Sequence, residues 1–232
     1  MKNLNKKDLL YLGILILIFL GIVYITSGST YLYGSNLDWI SQHVVFPEYF
    51  RTLFYNTKEF FPDFALNIGG GQSIYNFAYY GLFNPLYWLS YIMPKVPMAT
   101  YVITMAIGTV IASIILMYIF LRSKKYNSEV SFLGTLCLAC ATCLNMHSHR
   151  HIMFIDYMPF MVLGLFGVDK KLDNGKSWLL SLSVFLMIMT SYYYSVTGIF
   201  VLVIYGIYKY LTKTKKVTIK SFFKVGIPFL MP

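Results

Sequence analysis

Charge is scarce in this chain. Asp, Glu, Lys and Arg make up 12% of its 232 residues, about half the share found in soluble domains. Acidic residues are scarcer still, nine against nineteen basic ones. The basic excess lacks the soluble patch that nucleic acid would need, because the lysines sit in short stretches between apolar runs. No A-x-A-like motif follows the first apolar run, Leu9 to Ile25, so it reads as a retained anchor and not a cleaved leader. Cys137, Cys140 and Cys143 have no second ligand cluster, which excludes a metal framework and leaves small-residue packing inside an apolar helix. Gly69 to Gly71 lack the strand–GxGxxG–helix setting, which excludes a nucleotide fold.

What is present is long apolar sequence. Hydrophobic residues are 57% of the chain and mean hydropathy is +0.61, while a run of about 20 apolar residues crosses a bilayer core. Spans are predicted at about 9–25, 98–121, 130–146, 152–168, 178–191 and 195–210, with 222–232 starting a further span of a longer protein. The corner SYYYS, Ser191 to Ser195, divides what would otherwise be one very long helix. Four basic clusters punctuate the chain, at Lys2/Lys6/Lys7, Arg122/Lys124/Lys125, Lys170/Lys171/Lys176 and Lys209 through Lys224. Placing all four in the cytoplasm requires an even number of spans between neighbours. Only Arg51, Lys58, Lys95 and Arg150 then lie outside. The expected fold is an all-α polytopic membrane protein, amino terminus cytoplasmic, with a large first extracytoplasmic loop at 26–97.

Polar chemistry gathers on that outer side. All four histidines fall there, with Asp38, Asp63 and Arg150. Ionisable groups concentrated on one face of so apolar a chain indicate a site. In the loop, Pro47 suits the first position of a helix running to about Thr57. Its stripe of Tyr49, Phe50, Leu53 and Phe54 predicts a helix lying on the membrane, with Arg51, Lys58 and Glu59 pointing elsewhere. The triple glycine allows a ligand or a second helix to approach closely, and 81–93 suits a re-entrant or interfacial segment. In HSHRH, Arg150 offers a fork to an anion, and His149 and His151 offer hydrogen bonds. A divalent metal held by His147, His149 and His151 in an extended turn, completed by His43 or Asp63, is the alternative; plain interfacial residues are another. Asp156, inside the next run, is expected to pair with Lys95 or Arg150, to line a pocket, or to snorkel to the surface.

Three blocks, GSNLDWISQHVVFPEYFRTLFY, PDFALNIGGGQSIYNFAYYGLFNP and HRHIMFIDYMPF, resemble the bacterial membrane protein family YfhO, and the likeness runs over essentially the whole chain. It implies a GT-C-like helical bundle whose first extracytoplasmic loop carries interfacial helices and a catalytic aspartate, here Asp38 in NLDWISQH. It also implies sugar transfer from a polyprenyl-phosphate donor to a cell-envelope acceptor such as lipoteichoic acid, at the outer face of the bacterial cytoplasmic membrane. Family sequences often carry an acidic residue where Ser35 or Asn36 stands here, so a two-carboxylate mechanism is not expected. One carboxylate suffices as general base, because the phosphate leaves as an anion without a proton donor. Direct transfer of this kind inverts the anomeric carbon.

Trp39 beside Asp38 suits sugar stacking or interfacial anchoring. With it, His43, Asp63, Tyr80, His149, Arg150 and His151 are the candidate substrate contacts. No cofactor is required beyond the alternative divalent metal. Tyr192 to Tyr194 read as a sugar-stacking wall or as part of an aromatic belt. A transporter or flippase of lipid-linked sugar, or a non-catalytic assembly subunit, are the competing classes. A transporter predicts helix-breaking or ionisable residues at mid-membrane in symmetric halves; apart from Asp156 they cluster at one face here, and no internal repeat is visible.

Overall fold

The computed structural model describes residues 4–28, 33–34 and 38–213. The expected further span at 222–232 and the Ser35/Asn36 position lie outside the described residues. Nine α-helices, interleaved with shorter turns of helix, account for most of the described chain. The helices are α1 (Lys6–Ser27), α2 (Val45–Thr57), α3 (Pro85–Trp88), α4 (Met98–Ser123), α5 (Ser128–Ala139), α6 (Thr142–Arg150), α7 (Met158–Asn174), α8 (Trp178–Thr190) and α9 (Tyr192–Lys213). Four stretches, Lys6–Ser27, Met98–Ser123, Ile152–Asn174 and Tyr192–Lys213, are long and apolar enough to cross a membrane, and α5 with α6 makes a fifth if the bent pair is one span. The protein is an all-α polytopic membrane protein.

Local sequence explains where these helices start and bend. Asn5 caps α1 reciprocally: its Oδ1 accepts from the Asp8 amide at 2.8 Å, and Asp8 accepts from the Asn5 amide at 3.0 Å. The run expected at 130–146 is instead two helices, α5 and α6, bent by 46°. Asn145 supports the break by donating its side-chain amide to the carbonyls of Ala139 (2.8 Å) and Ala141 (3.0 Å), the second of which also accepts from the Asn145 backbone amide (3.1 Å). The cysteines do not pack inward as the sequence suggested, since all three are exposed. Ser131, Thr135 and Ala139, spaced four apart, form the small buried face. The tyrosine corner does divide the last long run, but at Ser191, so that α9 begins at Tyr192. At 13 residues and about 1.5 Å per residue, α8 is shorter than a bilayer core.

The ends of α4, α7 and α9 meet at one side of the bundle together with the start of α1, while α5–α6 and α8 carry the chain back, which gives the bundle two unlike ends. At one, Arg122 closes the end of α4 onto Asp8 at the start of α1, with Nε 2.9 Å from Oδ1. Tyr118 donates to the same carboxylate at 2.7 Å. Asp169 of α7 bridges Lys124 of α4 and Lys209 of α9. Gly167 lets α7 lie against α8, because a Cβ there would stand 2.6 Å from the Leu180 backbone.

The other end carries the loop, which has a small core of its own built from Phe50, Ala65, Ile74 and Leu82. It docks on α4 through Tyr33, Trp39 and Tyr87 against Met98, Val102 and Met105. Two expectations for the loop helix are corrected. It starts at Val45, not at Pro47, because a π-helical turn (Trp39–Val44) feeds directly into it and Pro47 sits within the first turn, where its missing amide is tolerated. Arg51 does not point away. It is buried, donating to the carbonyls of Val96 (2.9 Å) and Met93 (3.4 Å) and pairing with Glu48 (2.6 Å), and so clamps the segment ahead of α4. The triple glycine turns a two-stranded hairpin, β1 (Phe64–Ala65) with β2 (Gln72–Ser73). All three glycines have positive φ, and the close approaches are of Gly69 to the Gln72 side chain and of Gly71 to the Phe64 ring. They serve the turn, and no helix among the described residues packs closely on them. The segment 81–93 forms two short helical turns, α3 and 89–92.

Candidate functional site at the loop end of the bundle

Asp38 stands immediately before the π-helical turn. One turn on, Gln42 donates its amide to Asp38 Oδ1 at 3.2 Å. The other carboxylate oxygen faces His151 Nδ1 at 3.6 Å, an electrostatic contact longer than a formed hydrogen bond. His151 reaches it because α6 ends there: its backbone leaves the helix at φ −144°, with the amide still bonded to the His147 carbonyl at 2.8 Å. The imidazole lies flat on Phe154, centroids 4.9 Å apart. Phe154 in turn packs against Tyr194 at 3.9 Å. With 45% of its side chain exposed, Asp38 remains open to an incoming group.

Behind the pair lies a buried imidazole. His43 meets His151 edge-on at 5.9 Å and Trp39 at 6.3 Å. It is 3% exposed, and its Nε2 has no hydrogen-bond partner among the described residues. Burial, aided by the neighbouring His151, pulls its pKa down to about 4, so His43 is neutral near pH 7. His147 sits 6.1 Å from His151 and also carries a buried unpartnered nitrogen.

The histidine segment is helical through Arg150, not an extended turn, and that separates its side chains. At about 100° per residue, positions 147 and 151 share a face and 149 does not. His149 instead accepts from the Gly34 amide at 3.2 Å and packs against Tyr33. The alternative metal set of His147, His149 and His151 is therefore not assembled, and no group of three His, Cys, Asp or Glu suited to a metal ion occurs among the described residues. Among the described residues a divalent cofactor has no fitting donor set. Arg150 is exposed and makes no hydrogen bond or ion pair among the described residues.

The remaining candidates fall elsewhere. Trp39 is 3% exposed, so it cannot stack on a sugar or anchor at an interface; its indole fills the space over Gly34, where a Cβ would sit 2.7 Å from the ring. Asp63 is exposed on the hairpin, with Tyr75 as its side-chain partner at 3.5 Å. Tyr80 is stacked on Phe46 at 4.5 Å. Asp156 neither snorkels nor pairs with Lys95 or Arg150. It is fully buried and accepts from the Asn84 amide at 2.7 Å. Asn84 is a three-way fastener: it also donates to the Thr190 carbonyl (3.4 Å) and accepts from the Leu86 amide (2.9 Å), capping α3. The loop is thereby tied to the start of α7 and the end of α8.

Sequence reading missed Gln42, Asn84 and Phe154. Gln42 was legible four residues after Asp38, and Asn84 as a cap before Pro85. Nothing local marked Phe154.

The model of the family described as bacterial membrane protein YfhO matches residues 10–231. No curated protein and no solved structure matches the chain.

Proposed function

Starting from the fact that the chain belongs to the YfhO family of bacterial membrane proteins, we propose that it transfers a sugar from a polyprenyl-phosphate donor to a hydroxyl of a cell-envelope polymer, lipoteichoic acid being the type considered. The observation that carries this reading is the half-exposed Asp38 carboxylate, held by Gln42 and facing His151 at the loop end of the bundle. The positive-inside pattern puts that end outside the cytoplasm, where a lipid-linked donor and an envelope acceptor meet.

In the reaction, the acceptor hydroxyl gives its proton to Asp38 as its oxygen bonds to the anomeric carbon. The bond from that carbon to the phosphate oxygen breaks, and the lipid phosphate leaves with the electron pair. Arg150, exposed and with no side-chain partner among the described residues, follows His149 and precedes His151 in the chain and is the cation for the departing phosphate; its planar fork fits two oxygens. No step needs a metal-bound nucleophile, since a phosphodiester-linked sugar already carries its leaving group. Attack from the face opposite the phosphate inverts the anomeric centre.

The test is transfer in proteoliposomes supplied with polyprenyl-phosphate hexoses or N-acetylhexosamines. Asp38→Asn should lower turnover by roughly 10²- to 10⁴-fold, the usual range for a general base, with donor binding retained. Wild-type turnover in that variant removes Asp38 as the base. Donor crossing the vesicle membrane without transfer would support a flippase instead.

A further inference from the structure

The burial of Trp39 leaves the proposed transfer site without the aromatic platform that a pyranose ring would use. Exposed rings occur one contact away. The His151 imidazole stacks on Phe154, and Phe154 packs against Tyr194. Tyr193 meets Tyr194 edge-on at 5.1 Å, and Tyr79 of the loop meets Tyr192 at 5.9 Å. Tyr192 and Tyr193 are 60% and 62% exposed. Two separate parts of the chain, the loop and the α8–α9 break, thus supply one tyrosine cluster beside the Asp38–His151 pair.

We propose that Tyr79, Tyr192, Tyr193 and Tyr194 form a carbohydrate subsite, taking a pyranose of the donor or of the glycosylated acceptor, and the inference rests on the transfer reading above. A pyranose has an apolar face of axial C–H groups and a rim of hydroxyls. Tyrosine matches both, with a ring face for the first and a phenol for the second. Two features distinguish the cluster from an interfacial belt, in which rings sit independently at headgroup depth. The Tyr79–Tyr192 pair packs across two elements, and the adjoining Tyr193–Tyr194 pair continues through Phe154 to the imidazole beside the proposed base.

Saturation-transfer NMR on the detergent-purified protein tests the subsite without turnover. The probes are the methyl glycosides of glucose, galactose and N-acetylglucosamine. Wild type and Asp38→Asn should both transfer saturation to the ring C–H protons of at least one glycoside. Tyr193→Ala and Tyr192→Ala should each weaken that signal about fivefold, the scale of one lost aromatic contact. Tyr193→Trp should restore it, which excludes misfolding as the cause of the loss. A signal indifferent to the tyrosine replacements overturns the subsite, and so does its absence for all three glycosides in folded wild type. If the tyrosine-dependent signal is present while Asp38→Asn transfers normally, the subsite stands and the base assignment falls.

Discussion

The two ends of this bundle treat polar groups in opposite ways. At the basic end, charges answer one another: Asp8 takes Tyr118 and Arg122, Asp169 takes Lys124 and Lys209, and Asp173 takes Lys209 and Lys213. Those contacts join helices that are far apart in sequence. At the loop end, four buried polar atoms have no partner among the described residues, namely His43 Nε2, His147 Nδ1, Asp156 Oδ1 and Ser191 Oγ. Each such atom costs roughly 1–3 kcal/mol if nothing satisfies it. The basic end has Ser131 Oγ likewise unpartnered among the described residues, so the ends differ in how far their charged groups are paired.

Four measurements would break or sharpen that contrast. The largest effect belongs to the basic end. Asp8→Ala strands a buried carboxylate's partners, Tyr118 and Arg122, and should cost about 3–5 kcal/mol. A thermal midpoint in detergent close to wild type would mean that this end is not the structural clamp.

At the loop end, acid should destabilise through His43. The buried imidazole resists protonation, with its pKa lowered from 6.5 to about 4, while the unfolded chain takes up its proton near the ordinary value. Stability is therefore full above about pH 6.5 and declines as pH falls toward 4, by on the order of 3 kcal/mol. His43→Phe should flatten that part of the profile; an unchanged slope assigns the acid sensitivity to another group.

Asn84→Ala comes next. Losing the donor to buried Asp156 should cost about 1–3 kcal/mol and loosen the loop before the bundle. Limited proteolysis should then cut within 58–80 faster than in wild type, and equal rates would show that the fastener does not hold the loop. The smallest effect is expected for Lys7→Ala. Its ion pair with Glu129 is solvent-exposed at both partners and screened, so the midpoint should not move measurably. A clear drop would extend the structural role of the basic end to its surface.

The contrast between the ends also explains what could be read early. Apolar periodicity and the basic clusters located the long helices, because lipid-facing helices must be apolar throughout and lysines mark their ends. A break between the last two helices was visible at SYYYS, where polar serines interrupt the apolar run. The kink at Cys140–Ala141 was not, since its support, Asn145, is an ordinary polar residue until its carbonyl partners are known. Asp38 was singled out by family likeness, and His151 by the crowding of titratable residues. Their contact joins positions 113 residues apart, a distance no local pattern reports. Trp39 misled because a tryptophan beside a candidate catalytic residue looks available until packing shows it filling the space over Gly34.

The sequence by itself determined that this chain is a membrane-embedded, all-helical member of its family, because composition and apolar run length are local properties that the bilayer as solvent enforces directly. Only the tertiary structure decided which of the outer polar residues meet. Helical phase turned His149 away from His147 and His151, Arg51 became a buried clamp, and Asn84 bound the loop to two helices. Those outcomes depend on side-chain direction and on packing between distant segments, and neither is written in any single stretch of the chain.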